Sequence, residues 1–189
     1  MIKIGILGDI GSGKSYVARN FGYPIFNADY EVKKIYLSDK RIFGKLKKIL
    51  PKYIFSFPIN KNEISNAILS DKHSLKKIVK IVHLEIRKKL NTFLKKNKNK
   101  KLVILDIPLL LENKINKKND ILIFVQSKKF NILKRLKKRP NFNKKLINKF
   151  KNIQLPLDYK KKKSHFIIKN NFTKKSVKKD INNILKNIL

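Results

Sequence analysis

Gly8-Asp9-Ile10-Gly11-Ser12-Gly13-Lys14-Ser15 is the stretch on which the fold turns. It matches G-x-x-x-x-G-K-[ST], the phosphate-binding loop, and its flanks supply the context that motif needs. Ile2-Lys3-Ile4-Gly5-Ile6-Leu7 before it reads as a short buried strand, and Tyr16-Val17-Ala18-Arg19-Asn20 after it can open a helix. Glycines let the backbone curl so that successive N–H groups point at phosphate oxygens, and the helix N-terminus adds positive potential. Lys14 is placed to reach β- and γ-phosphates, and the Ser15 hydroxyl to ligate Mg²⁺. A dinucleotide-binding reading fails, because G-x-G-x-x-G starting at Gly11 requires glycine where Tyr16 stands.

Outward from the loop, apolar runs alternate with helical patterns. Pro24–Asn27 reads as a second strand, Lys101–Asp106 and Asp120–Val125 as buried parallel-type strands, and His165–Ile168 as a last short one. Ser127 is expected to cap the helix through Ile132, Leu133 and Leu136. Thr173 is expected to cap a final helix with Val177, Ile181, Ile184, Leu185 and Ile188 at helical spacing. Strands alternating with helices imply an α/β fold with a parallel sheet. Between about 39 and 100 the alternation breaks. Leu75, Ile78, Val79, Val82, Ile86 and Leu90 follow helical spacing there, so a mostly helical insertion is expected, over the carboxyl end of the sheet.

The chain of 189 residues predicts one core domain with an inserted subdomain and is long enough to bury a core without staples. It has no cysteine, so there is neither a disulfide framework nor a thiolate metal site. His73, His83 and His165 show no ligand-like spacing. No apolar run approaches the roughly 20 residues of a membrane span, and the apolar start lacks a basic n-region and a cleavage site, so it is not expected to be a signal peptide. Met1-Ile2 does not fit myristoylation.

The net charge of +36 points first to nucleic acid. Only five of the 48 basic residues are arginines, however, and the lysines are dispersed and accompanied by many Asn, Ile, Phe and Tyr. That pattern fits a solvated surface shaped by AT-rich coding rather than a clustered nucleic-acid face. The runs Lys95–Lys101 and Lys160–Lys163 are expected to be exposed. Non-specific polyanion binding at low salt is still expected.

Other residues could carry chemistry. Asp29, just beyond the second strand, could orient a hydroxyl nucleophile and accept its proton, or be an ordinary first-turn acid of a helix. Asp106, ending the third strand, could hold Mg²⁺ through water, or bond local backbone. Arg135 and Arg139 share a helical face at i, i+4 and could reach transferring phosphates, for which planar bidentate geometry matters.

Several segments together resemble the dephospho-CoA kinase family. Beyond the loop, Asn27-Ala28-Asp29 is similar to that family's Asp-Ala-Asp, and Asp106-Ile107-Pro108-Leu109-Leu110-Leu111-Glu112 to its Asp-hydrophobic-Pro-Leu-Leu-Phe-Glu. Leu133–Arg139 resembles its Leu-Lys-Arg-Leu-x-x-Arg helix, Gln154-Leu155-Pro156-Leu157 its Gln-Met-Pro-Leu, and Phe166–Asn170 its Tyr-Val-Ile-Asp-Asn. The resemblance implies a P-loop kinase core (about 1–38 and 101–189), a helical substrate-binding insertion (about 39–100) and a small lid (about 139–160). It implies transfer of the γ-phosphoryl of ATP to the ribose 3′-hydroxyl of dephospho-CoA, with Mg²⁺. Asp29, Lys14 and Arg139 would be catalytic. Gly8, Gly11, Ser12, Gly13, Lys14, Ser15, Tyr16 and Arg135 would bind ATP, while Asp29, His83, Pro108 and Leu109 would bind dephospho-CoA. Ser15 would hold Mg²⁺ directly and Asp106 through water. A cytoplasmic monomer or weak homo-oligomer, with no specific nucleic-acid or membrane partner, is expected. The chain departs from the family pattern at Asp9, Tyr16, Asn27 and Leu84, and at Lys61, Lys161 and Lys163, where lysine gives up the bidentate fork of arginine. Another small P-loop kinase, or a basic nucleic-acid-binding protein with a vestigial nucleotide site, are the alternatives.

Overall fold

The computed structural model describes residues 1–71, 73–140 and 142–189. The chain divides into two compact units: Met1–Asn27, Asn97–Phe142 and Ile153–Leu189 form the first, and Ala28–Lys96 with Asn143–Asn152 the second.

The first unit is built on a five-stranded parallel sheet of β1 (Ile2–Gly8), β2 (Ile25–Asn27), β3 (Leu102–Asp106), β4 (Ile121–Gln126) and β5 (Phe166–Lys169), in the order β2-β3-β1-β4-β5. All five residues of β3 are buried, as a strand covered on both faces requires. One face alternates Ile4 and Ile6, Leu102 and Ile104, Ile123 and Val125, and Ile168 into a single core. That core also holds Val17, Ala18 and Phe21 near α1 (Lys14–Asn20), and Val177, Ile181 and Ile184 of α9 (Lys174–Ile188). On the other face, a methyl group at Gly5 would lie 2.4 Å from Leu110 Cδ2, so only glycine fits under the turn that comes after β3. The α/β reading and the strand assignments hold, with boundaries shifted by a residue or so.

Two local expectations are corrected. Ser127 does not cap α6 (Lys129–Lys137): the cap position is Lys128, with no side-chain bond, and the Ser127 hydroxyl is spent elsewhere. Thr173 is at the cap of α9, but its hydroxyl pairs with Asn171 and Ser176 rather than with helix backbone.

The second unit holds α2 (Ala28–Ser38), α3 (Lys40–Ile49), α4 (Lys61–Ser70), α5 (Ser74–Lys96) and α7 (Lys144–Asn152). It starts at Ala28, where α2 continues from β2 without a break. The long α5 buries Leu75, Ile78, Val82, Ile86 and Leu90 at helical spacing, and α2, α3 and α4 pack on it. α7 packs on α4, and Lys149 Nζ donates to the carbonyl of Leu69 at 3.2 Å. Asp39 caps α3 by accepting from the Arg41 and Ile42 N–H groups. No helix among the described residues is long and apolar enough to cross a membrane.

Glu63, buried in α4, accepts from the Phe55 N–H at 2.9 Å, the Ser56 N–H at 3.3 Å and the Ser56 hydroxyl. Burial works to raise its carboxyl, but those donors outweigh it and leave it below the ordinary 4.5. The unfolded chain therefore takes up this proton at higher pH than the folded one. The stabilisation is present above the unfolded value and is lost as pH falls through the folded one. Glu63→Gln should lower Tm at neutral pH, and the gap to wild type should narrow below the unfolded carboxyl's 4.5. Thermal melts across a pH series check this.

Candidate active site

The loop expected to bind phosphate joins β1 to α1. Gly13 sits at φ 92° in the cap position of α1, and a Cβ there would fall 2.3 Å from Asn170 Nδ2, so both conformation and space select glycine. The Lys14 side chain folds back along the loop, its ammonium donating to Asp9 O at 2.8 Å and Gly8 O at 3.2 Å. Ser12 N–H donates to Asp9 O, and Ile10 N–H to the Asp9 carboxylate at 2.7 Å. The Ser12 hydroxyl is buried without a hydrogen-bond partner among the described residues.

The loop is fastened from behind. The carbonyl of Ser12 accepts from Ser127 Oγ at 2.8 Å and from Asn170 Nδ2 at 2.8 Å, so the ends of β4 and β5 both hold its middle. Asn170 is 2% exposed, and its Oδ1 accepts from the Phe172 N–H. The Arg135 guanidinium lies 4.2 Å over the Phe172 ring, whose edge borders Gly13. Sequence reasoning gave Ser127, Asn170 and Phe172 no site role. The only signal was that Asn170 closes one of the family-like segments.

Asp106 ends β3 beside β1 and is 3% exposed. Asn27, its register partner on β2, donates to Asp106 Oδ2 at 2.6 Å. An asparagine at position 27 can donate to this carboxylate where an aspartate could only crowd it. Pro108 and Leu109, half-buried, lie in the turn after β3. The shared helical face expected for Arg135 and Arg139 is corrected: α6 stops at Lys137, and Arg139 lies in the turn beyond it, because Pro140 disfavours helical backbone in the residue before it. Both arginines are exposed. Tyr16 packs against the hydrophobic core. The first unit thus brings together Gly8, Gly11, Ser12, Gly13, Lys14, Ser15, Asp106 and Arg135.

Asp29 and His83 belong to the second unit. Asp29 is exposed in the first turn of α2, an end that favours acidic side chains. His83 is half-buried on α5, and its Nε2 is buried without a hydrogen-bond partner among the described residues. Burial, then the charge of Arg87, pushes its imidazole below 6.5, so it is neutral at physiological pH.

A parallel α/β core carrying a G-x-x-x-x-G-K-S loop, with a buried acid at the end of the neighbouring strand, defines a P-loop nucleotide-binding protein. The family model described as dephospho-CoA kinase matches residues 2–176, and the chain belongs to that family. A dephospho-CoA kinase from Wolbachia sp. subsp. Brugia malayi is 33% identical over 187 residues, covering 96% of this chain and 95% of its own. Among solved structures, TT1252 from Thermus thermophilus superposes with a TM-score of 0.78 at 24% identity, covering 100% of this chain and 98% of its own. Dephospho-CoA kinase from Campylobacter jejuni gives a TM-score of 0.60 at 22% identity, covering 98% and 96%. At these identities the structures speak for the fold, and the sequence relatives for the activity. The chain is a kinase that acts on dephospho-CoA, at the last step of coenzyme A synthesis.

Proposed function

We propose that Asp29 is the general base that accepts the 3′-hydroxyl proton, and that Lys14 and Arg139 neutralise the charge that develops on the transferring phosphoryl group. The observation that carries this reading is the Lys14 ammonium held at the mouth of the Gly8–Ser15 loop by two loop carbonyls, which a nucleotide's phosphates can replace as its partners. Gly8, Gly11, Ser12, Gly13, Ser15 and Tyr16 line the ATP side. Arg135, stacked on Phe172, adds a planar cation there.

Neutral His83 offers Nε2 as a hydrogen-bonding group to dephospho-CoA, and Pro108 and Leu109 give it apolar contact. The Ser15 hydroxyl and the Asp106 carboxylate are hard oxygen donors of the kind Mg²⁺ takes, and Asn27 keeps the carboxylate oriented for a bound water. Mg²⁺, when bound, neutralises phosphate oxygens. The protein's own work is positioning and charge neutralisation.

The protein works in the cytoplasm as a monomer or weak homo-oligomer, with no specific nucleic-acid partner. The test of the activity is ADP release by purified protein with ATP and Mg²⁺, with and without dephospho-CoA, and with nucleosides and nucleotides as competing acceptors. Release that depends on dephospho-CoA and yields coenzyme A is expected. Turnover with another acceptor alone would give the fold a different substrate.

A further inference from the structure

One lysine contradicts the expectation of an exposed basic run. Lys161, Lys162 and Lys163 are exposed, but Lys160 is 1% exposed, and among the described residues no other lysine is buried. Its ammonium lies 2.6 Å from Glu112 Oε1, and the Glu112 side chain is 9% exposed. Gln154 Oε1 accepts from the same ammonium at 3.3 Å, and the Leu155 N–H donates to Glu112 Oε1 at 3.0 Å. Glu112 Oε2 is buried and has no hydrogen-bond donor among the described residues.

Stability alone does not call for such a pair. Removing two charges from water is costly, and the attraction between them repays the cost only when every lone pair and proton is satisfied. Here one carboxylate oxygen is left over, and two apolar side chains of similar volume would serve packing as well. What apolar side chains could not supply is direction. A single oxygen, Oε1, takes both the ammonium and a backbone N–H, and so ties three points of the first unit together. These are the turn after β3 that carries Pro108 and Leu109, the residues Gln154 and Leu155 just after the chain returns from α7, and α8 (Leu157–Lys162), which packs on β1.

We propose that Glu112 and Lys160 are positioning residues for phosphoryl transfer. They fix the turn that contacts dephospho-CoA against the base of the lid segment, and so set the acceptor side of the site. This rests on the reading of Pro108 and Leu109 as acceptor contacts. The ATP side is fastened separately, through Ser127 and Asn170.

The test is E112Q/K160M, which removes both charges yet leaves an amide oxygen for the Leu155 N–H. Its Tm should return close to wild type while kcat falls about tenfold or more and KM for dephospho-CoA rises, with KM for ATP unchanged, since small misplacements of reacting groups cost this much. Recovery of Tm together with wild-type kcat and both KM values would make the pair merely structural, and a parallel rise in the ATP KM would make the defect a general distortion. Either result overturns the proposal. E112D keeps the charge but withdraws it by one methylene, so it should give the same kinetic signature in a folded protein even if the double variant does not fold. Wild-type kinetics in E112D would also overturn it. L109A, measured alongside, separates the two readings: an unmoved dephospho-CoA KM there removes the acceptor-contact role of the turn, while a lowered kcat in E112Q/K160M still upholds the positioning role.

Discussion

Replacing Lys14 with alanine should lower kcat by at least about a hundredfold at saturating ATP, the loss expected when one preorganised group facing developing charge is removed. The ammonium is not an ornament of the loop. It is held 2.8 Å from Asp9 O and 3.2 Å from Gly8 O, at the point where the curled backbone opens. As phosphoryl transfer proceeds, charge redistributes over the phosphate oxygens, and an ammonium that has exchanged its loop carbonyls for those oxygens is in place to meet it. K14A also removes two hydrogen bonds to loop carbonyls, of which Asp9 O keeps the Ser12 N–H as a donor, so Tm should fall slightly. Lys14 is half-buried, and water can replace part of what is lost. Steady-state kinetics with a melt on the same sample separates the effects: a kcat within tenfold of wild type would remove Lys14 from the chemistry.

Asp29→Asn should lower kcat by roughly 10²- to 10⁴-fold, the range that a positioned base contributes, with both KM values changed only a few-fold. The substitution is close to isosteric and Asp29 is exposed at the start of α2, so Tm should be nearly unchanged. An amide can still accept a hydrogen bond but cannot take the proton. Near-normal turnover in folded D29N would assign the base elsewhere.

Much of the fold was legible because its signals are local. Four apolar runs stand where β1, β3, β4 and β5 form, and the glycine loop fixes the turn from β1 into α1. Two of the misreadings share one physical cause, which is that partners distant in sequence decided the outcome. Ser127 has the right residue type for a cap, but its hydroxyl reaches Ser12 O, 115 residues away. Lys160 stands in a run of four lysines, and nothing local distinguishes it from its neighbours; Glu112, brought close by folding, does. Arg139 missed its helix for a local reason that was available, the proline after it. Of the site, the loop residues and Asp106 came from motif and strand-end position. The fastening by Ser127 and Asn170 depends on three strand ends converging, which no periodicity reports.

The second unit is assembled from two pieces of chain, and this has a consequence for vectorial synthesis. α4 leaves the ribosome long before α7, which is its packing partner and supplies Lys149 to its last turn. Between them β3, β4 and α6 must be translated. At typical elongation rates the delay is roughly 4–15 s. During that interval the nascent helical unit lacks one of its own elements, and its completion waits on most of the neighbouring sheet having been made.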